Sequence, residues 1–560
     1  MKRLGLYKII MISICFGILF SCQDSWLDEK PDHLLTAETL FQDLDGFQAG
    51  INGLYSHIRK EKGEMNGTVG GGIGMWINGT DLFCRNGNDA NKGSSTLMSE
   101  WGTLNSPEHL MYRLTFIWLY EIVNGANMII TRAEGDNIDW VGNGKTPEEN
   151  RNLIIAEARA IRAYAYRHLS NSWGGVPLSL EESAGSTIRT DWQRAPVGEV
   201  RKQIISDFRF AEKHIPTEAT LPGRMTKGAI QTFLAEMYLV VDKPDSTLYW
   251  ADQVINNPAY KLVTERYGVK QFNPGVAFMD MFLDGNANRE EGNTEALWTF
   301  NLEINTVGGG NGIYRRNLTT RYDKINIFGV KPFQVTNQRG GRPGGAWISL
   351  TKFAIDNYEP QDDRFSNHVI RKYLILQTEE GNFPYEADRL PPGYNYGDTV
   401  HFDWSEELSW THNSVHTWPW SRKVDGFDPD DRYGSFQFND LVAMRLAETY
   451  LLKAEAQVTL GSLGAAAETV NIIRRRSNAS EVSAGDMDID FILDERGREL
   501  LVEGHRRYAL LRNGKWLERT RKYNFFGGEN ITDRDKLFPI PQVVIDANLT
   551  NPMEQNPGYN

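Results

Sequence analysis

Cysteine is scarce: Cys15, Cys22 and Cys84 are the only three in 560 residues. That number excludes a disulfide-built scaffold, and without a Cys-x-x-Cys pair it excludes the common cysteine zinc sites. Positive charge is also short. Sixty Lys and Arg stand against 73 Asp and Glu, a net charge of −13. Such a sign opposes a general nucleic-acid binder, which needs basic surface to displace counterions from phosphate. The apolar stretch at 9–20 falls short of the roughly twenty residues that a bilayer requires. No Gly-x-Ser-x-Gly elbow, His-Glu-x-x-His or dinucleotide glycine fingerprint is present. Gly144-Lys145-Thr146 ends like a phosphate loop, but Asp139 stands where its first glycine belongs.

What is present reads as globular: 40% hydrophobic and 24% charged residues, enough for two to four domains or one repeat-built body. Fifteen Trp, 22 Tyr and 26 Phe accompany 52 Gly, which suggests long loops carrying rigid, flat side chains. At the start, Lys2, Arg3 and Lys8 precede the 9–20 run, the layout of a secretion signal. Leu19-Phe20-Ser21-Cys22 resembles a bacterial lipobox, in which Cys22 is acylated and becomes the first mature residue. Loss of residues 1–21 removes those three positive charges and no acid, deepening the net charge from −13 to −16. Lipid on Cys22 tethers a chain without making it span. Cys84 is then the one remaining thiol, expected buried and inert.

Helical spacing places Phe41, Leu44, Phe47 and Ile51 behind Thr36 as N-cap, then predicts helices over 108–130 and 149–170. An internal repeat follows. Leu234-Ala235-Glu236-Met237-Tyr238-Leu239 recurs as Leu446-Ala447-Glu448-Thr449-Tyr450-Leu451, each before a break and a second helix. A small residue at a helix crossing, with Tyr three positions on, is similar to the tetratricopeptide pattern. Between 258 and 435 the character changes to short strands, such as the stretch at 295–300, amid Gly- and Asp-rich loops. A loop-rich insertion of that length is usually functional.

Two acidic sets invite a cation reading. Asp284, Asn286, Asn288, Glu290 and Glu295 fall on calcium-loop positions, although Arg289 stands where the tight turn wants Gly. Asp425, Asp428, Asp430 and Asp431 form a second oxygen-rich loop. Structural calcium is therefore weighed at either set against plain solvated turns, with no other cofactor expected. Glu495, Glu499 and Glu503 lie four apart, read as a stripe paired with arginines such as Arg445, Arg474, Arg496, Arg506 and Arg507 rather than as an acid/base site.

The order of longer blocks resembles one family, the SusD/RagB outer-membrane glycan-binding lipoproteins of Bacteroidetes. Ala156-Glu157-Ala158-Arg159-Ala160-Ile161-Arg162-Ala163-Tyr164 leads to Gly174-Gly175-Val176-Pro177-Leu178, then Gly223-Arg224-Met225-Thr226. The C-terminal half carries Arg445-Leu446-Ala447-Glu448, Asn471-Ile472-Ile473-Arg474, Glu503-Gly504 and Arg506. The tail Pro539-Ile540-Pro541 and Gln555-Asn556-Pro557-Gly558-Tyr559 completes it, with a departure in spacing over 545–554. The resemblance implies a mainly α fold: a superhelix of tetratricopeptide-like pairs with a loop-rich lobe containing short strands. It divides the chain into a signal peptide (1–21), an N-terminal region (22–257), a ligand-binding insertion (258–435) and a C-terminal helical region with tail (436–560). It further implies lipid anchoring in the outer membrane with surface exposure, and a SusC-like TonB-dependent transporter as partner.

A sugar presents an apolar C–H face and hydroxyl edges, so its site needs flat aromatics beside polar side chains. Three loops offer these: Trp76 to Asp81 with Trp101 further on; Tyr314-Arg315-Arg316; and Gly340-Gly341-Arg342-Pro343-Gly344-Gly345-Ala346-Trp347. Candidate ligand residues are Trp76, Asp81, Trp101, Tyr314, Arg342 and Trp347. Trp404, Trp410, Trp418 and Trp420, interspersed with His401, His412 and His416, leave packing and ligand contact both open. The resulting expectation is a non-catalytic glycan-capture lipoprotein delivering oligosaccharide to an importer. The alternatives are an extracellular glycoside hydrolase, which needs a carboxyl pair that nothing in the sequence singles out, and a repeat lipoprotein binding peptide or protein.

Overall fold

The computed structural model describes residues 36–63, 71–85, 98–102, 105–336, 339–344, 348–378, 387–407 and 414–559. Cys22, Trp347, Trp410 and His412 lie outside the described residues.

Nine longer helices are central here: α1 (Leu44–Ile58), α2 (Leu110–Arg132), α3 (Pro147–Trp173), α4 (Val197–His214), α5 (Lys227–Val240), α6 (Pro244–Ile255), α7 (Leu446–Thr459), α8 (Leu463–Arg476) and α9 (Ile489–Glu499). Local chemistry sets their ends. At α3 the Thr146 hydroxyl accepts the Glu149 N–H (3.3 Å) while the Glu149 carboxylate accepts the Thr146 N–H (2.8 Å), and Pro147 opens the first turn. The first predicted helix divides. Thr36 caps only the turn Ala37–Leu40, and α1 begins afresh because the Asp43 carboxylate accepts the Gly46 N–H at 2.9 Å.

Successive helices pack on one another, α2 on α3, α3 on α4, α4 on α5 and α5 on α6, and after the insertion α6 on α7 and α7 on α8. Three-residue turns close the α5–α6 and α7–α8 hairpins, with Asp242 and Gly461 in left-handed conformation. This is the tetratricopeptide-like arrangement expected from the repeat. Ala235 and Ala447 are both fully buried. The two repeat helices meet directly, the hydroxyls of Thr232 on α5 and Thr449 on α7 lying 2.7 Å apart. Although α2 is long and apolar enough to cross a membrane, its Met111, Tyr112, Leu119 and Ile122 are buried in the helical core.

The loop-rich lobe is held by short antiparallel ribbons. β1 (Phe83–Arg85) pairs with β3 (Ile348–Leu350), with Cys84 opposite Ser349. β2 (Ala296–Phe300) pairs with β4 (Leu441–Arg445), Leu441 opposite Phe300 and Arg445 opposite Ala296. Chain entering and leaving the lobe is thus clasped at one place. Cys84 is fully buried, and burial pushes its thiol far above the ordinary range, so it is unreactive.

Beside the clasp lies a buried ion-pair network. Arg364 binds Asp362 (2.8 Å), Glu495 (2.7 Å) and Glu499 (2.9 Å). Arg445 binds Glu295 (2.7 Å), Glu499 (2.5 Å) and Glu503 (2.6 Å). Arg476 joins Glu295 (2.9 Å) and Glu499, Arg474 takes Glu495 (2.7 Å), and Lys423 takes Glu503 (2.6 Å). The three in-line carboxylates are therefore a paired stripe. Of the counter-charges expected, Arg445 and Arg474 serve. Arg496 instead pairs with Glu448, Arg506 with Asp81, and Arg507 donates to the Asp535 and Lys536 carbonyls.

Two outcomes follow. Overpacking a helix crossing costs about 1–3 kcal/mol, so Ala447→Phe lowers Tm; an unchanged melting curve would make the repeat accidental. Burial alone would raise the Glu495 carboxyl, but Arg364, then Arg498 and Arg474, hold it at about 2. A carboxyl with a lowered folded value gives stability that is complete above its unfolded value, about 4.5, and is lost as pH falls toward 2. Glu499→Ala takes a shared carboxylate from three buried arginines and costs about 3–5 kcal/mol at neutral pH, while the mutant loses less than wild type on acidification to pH 3. A wild type equally stable at pH 6 and pH 3 would refute the network's role.

Candidate functional site

Four of the sequence-predicted ligand residues turn out to be core. Trp76 is 1% exposed; its indole N–H donates to Ser172 Oγ (3.0 Å) and its ring packs on His168. Trp101, also buried, donates to the Gly79 carbonyl (2.9 Å) and meets Trp516 edge-on. Tyr314 is buried with its hydroxyl 3.5 Å from Lys62 Nζ. Asp81 is fully buried, accepting from Arg506 (2.6 and 2.8 Å) and Arg519 (2.8 Å). Burial opposes its ionisation, but Arg506 and then Arg519 outweigh it and hold the carboxyl below its usual range. The 71–85 segment folds inward because its polar groups find partners inside, so none of these rings offers a face to a ligand. Trp418 and Trp420 are likewise buried, the Trp418 N–H donating to the Leu350 carbonyl (2.8 Å).

The oxygens at calcium-loop spacing do not converge. Glu295 sits between Arg445 and Arg476, Asn286 Oδ1 accepts the Val269 N–H (2.9 Å), and Asn288 is tied to Asp440 (2.6 Å) and Thr299 (2.7 Å). Asp284 is exposed and stands apart from these bonds. In the second loop the acids brace turns: Asp428 Oδ1 accepts the N–H groups of Asp430 (3.0 Å) and Asp431 (3.1 Å), and Asp425 pairs with Arg422 (2.8 Å). Among the described residues, Glu61, His168 and His505 have ligand atoms within 4.8 Å of one another. Lys62 Nζ lies 3.2 Å from Glu61, and Arg167 Nη1 lies 3.3 Å from His505 Nδ1. Positive charge thus already occupies the place of a cation.

Arg342 does reach the surface, and its setting is built. Arg315, buried, donates to the carbonyls of Gly434 and Phe436 (3.0 Å each) and to that of Arg342, clamping segment 339–344 onto loop 425–436. Gly340 and Gly341 both have left-handed φ (91° and 73°), and a Cβ on them would lie 2.7 Å from Asp425 Oδ1 and 2.8 Å from the Gly426 carbonyl. The Tyr322 hydroxyl donates to the Gly341 carbonyl (2.6 Å). Arg342 Nη1 then donates to the Tyr433 carbonyl (2.9 Å). Tyr433 is 48% exposed, with the Arg432 guanidinium 4.8 Å from its ring centre and donating to its hydroxyl (2.9 Å). An aromatic face framed by two arginines is what sequence reading missed, because Tyr433 follows an acidic run read for calcium.

Loop 425–436 also walls a cavity of about 450 Å3, closed on its other side by 301–309 and joined to it by Asn305 Nδ2 donating to Asp430 (2.9 Å). Arg59, Asn301, Glu303, Phe427, Asn439 and Asp440 line it. Arg59 Nε and Asn439 Nδ2 are buried without a hydrogen-bond partner among the described residues. Burial foremost, then Glu291 and Asp284, push the Asp440 carboxyl up to about 6, against its bonds from the Leu302 N–H (2.8 Å) and the Asn288 amide. An exposed tyrosine face and a cavity lined with amide, guanidinium and carboxylate groups together suit a polyhydroxylated ligand.

Comparison with known proteins agrees with this architecture along the chain. A model described as SusD family matches residues 294–559, and one described as starch-binding associating with outer membrane matches 25–239. SusD-like protein P25 of Formosa agariphila is 25% identical over 97% of this chain and 99% of its own. The starch-binding protein SusD of Bacteroides thetaiotaomicron is 31% identical over 131 residues, 23% of either chain. A solved laminarin binding SusD-like protein superposes with a TM-score of 0.66 at 21% identity, covering 92% of this chain and 99% of its own. With two family models in tandem order and a shared helix-pair fold, the chain belongs to the SusD/RagB family.

Proposed function

We propose that this chain is a non-catalytic glycan-capture lipoprotein of the outer membrane, anchored through Cys22 and surface-exposed. It delivers oligosaccharide to a SusC-like TonB-dependent transporter. The observation that carries the binding step is the cavity between 301–309 and 427–440, lined by Arg59, Asn301, Asn439 and Asp440, with the exposed Tyr433 on the loop that walls it. Relatives named for laminarin and for starch support a glycan as the ligand class, and a family description that places its members at the outer membrane supports the location. Arg342, fixed beside Tyr433, completes the proposed surface.

Asp440 is the one observation that favours a hydrolase, since a carboxyl near 6 suits a general acid. Its Oδ1 accepts the Leu302 N–H and its Oδ2 accepts both the Asn288 and Asn301 amides (2.6 and 3.1 Å). A carboxyl so engaged is an acceptor, and product analysis on bound glycans is expected to find no cleavage.

Stacking on an aromatic face contributes to binding without supporting the fold. Tyr433→Ala therefore keeps its Tm and loses about 2 kcal/mol of glycan affinity by calorimetry; unchanged affinity would move the platform elsewhere. Cys22→Ala is expected to shift the protein from the membrane fraction to the soluble fraction. Retention in the membrane, with no lipid mass on the N-terminal peptide, would overturn the anchor.

A further inference from the structure

A second cavity, of about 550 Å3, opens between segments 218–226 and 288–299. Its walls are held by their own hydrogen bonds. The Arg289 guanidinium donates to both Glu218 oxygens (2.8 and 2.9 Å) and to the Ala259 carbonyl (2.8 Å). Arg224 pairs with Glu157 (2.8 Å), and the Trp298 indole N–H donates to the Gly223 carbonyl (3.0 Å). On this frame the side chains of Thr220, Leu221 and Glu290 stand in solvent, Leu221 at 47%. An apolar lip beside a hydroxyl and a carboxylate matches what a sugar presents, a C–H face edged with hydroxyls. Cavities of this size, concave and with a few fixed polar groups, are where small ligands bind.

Only a hydrogen-bonded ridge separates this cavity from the one walled by loop 425–436. Asn288, on the second cavity, donates to Asp440 (2.6 Å) and accepts from Asn301 (3.2 Å), both of which line the first. Gly223 packs on the same ridge, where a Cβ would lie 3.0 Å from Asn301 Oδ1. Helix α1 backs both cavities. Asn52 accepts from Arg224 (2.8 Å) at the second, while Ser56 and Arg59 donate to the Gly308 carbonyl (2.9 and 2.6 Å) at the first. Positions 52, 56 and 59 share one face of a helix, and seven residues of rise set the outer two about 10 Å apart. The cavities therefore lie side by side along α1.

We propose that the second cavity is a further sugar subsite, so that the protein binds a linear oligosaccharide laid along α1 across the Asn288–Asn301 ridge and selects for chain length. The inference rests on the glycan reading of the first cavity. A disaccharide engages one cavity at a time. A longer chain engages both, and its second contact is intramolecular once the first has formed, so affinity climbs with length.

Titration calorimetry on the full mature chain tests this, with ladders of glucan, mannan, xylan and galactan fragments running from disaccharide to hexasaccharide. In the best-bound series the hexasaccharide is expected to bind about tenfold or more tighter than the disaccharide. Leu221→Ser and Glu290→Ala, both at exposed positions, are each expected to lower that gain. Together they are expected to erase it, with Tm and disaccharide affinity unchanged. Equal affinity for the two lengths, or a gain that survives the double variant in a folded protein, would overturn the subsite. Binding that stays dependent on Tyr433 in either of those cases would leave the glycan reading standing without it. No fragment bound in any series would overturn the glycan reading and the subsite with it.

Discussion

The carboxylate of Glu499 is the point on which this architecture turns. It is fully buried and receives Arg364 from the lobe, Arg445 from β4 and Arg476 from α8. Burial would drive it neutral, but Arg476, Arg445 and Arg364 together hold it well below the ordinary carboxylate range. Breaking such a buried network by removing one partner is costly, because it leaves charge uncompensated in the interior. Glu295, just ahead of β2, and Glu503, just after α9, extend the same lattice to both ends of the clasp. A lobe rich in loops, with only two-stranded ribbons of its own, is thereby fixed to a helical body.

That fixation reaches the binding surface through short links. Lys423, anchored on Glu503 and on the Glu499 carbonyl (2.7 Å), is adjacent in sequence to Arg422, which holds Asp425. From Asp425 onward the chain runs through the turns that brace Tyr433 and then back to β4 by way of Gln437, which pairs with Gly312. Arg315 bridges the same loop to segment 339–344. Preorganised loops of this kind spare a ligand the cost of ordering them, which matters for sugars whose individual contacts are weak.

Much of the fold was legible because its signals are local. Helical spacing over 149–170, alanines at Ala235 and Ala447 and a break at Gly461 each declare themselves within a few residues. The site was less legible because its determinants are distant in sequence. Trp76 in a glycine-rich loop reads the same whether it faces water or the core, and Ser172, 96 positions away, is what draws it inward. The spacing from Asp284 to Glu295 mimics a cation loop, yet Arg445 and Arg476 claim Glu295 from 150 and 181 residues away. Arg342, singled out by its Gly-rich setting, is exposed. Tyr433 was missed because nothing in an Asp-Arg-Tyr-Gly stretch distinguishes a ring left in solvent from one that packs.

The proposed seat of a glycan is the space between 301–309, 339–344 and 427–440. The most direct measurement is a crystal structure of the mature chain with the tightest-binding oligosaccharide from a glycan panel. The account predicts a sugar ring stacked on Tyr433 with a hydroxyl in reach of Arg59 or Asn439. An oligosaccharide seated elsewhere on the molecule, with Tyr433 bare, would contradict it.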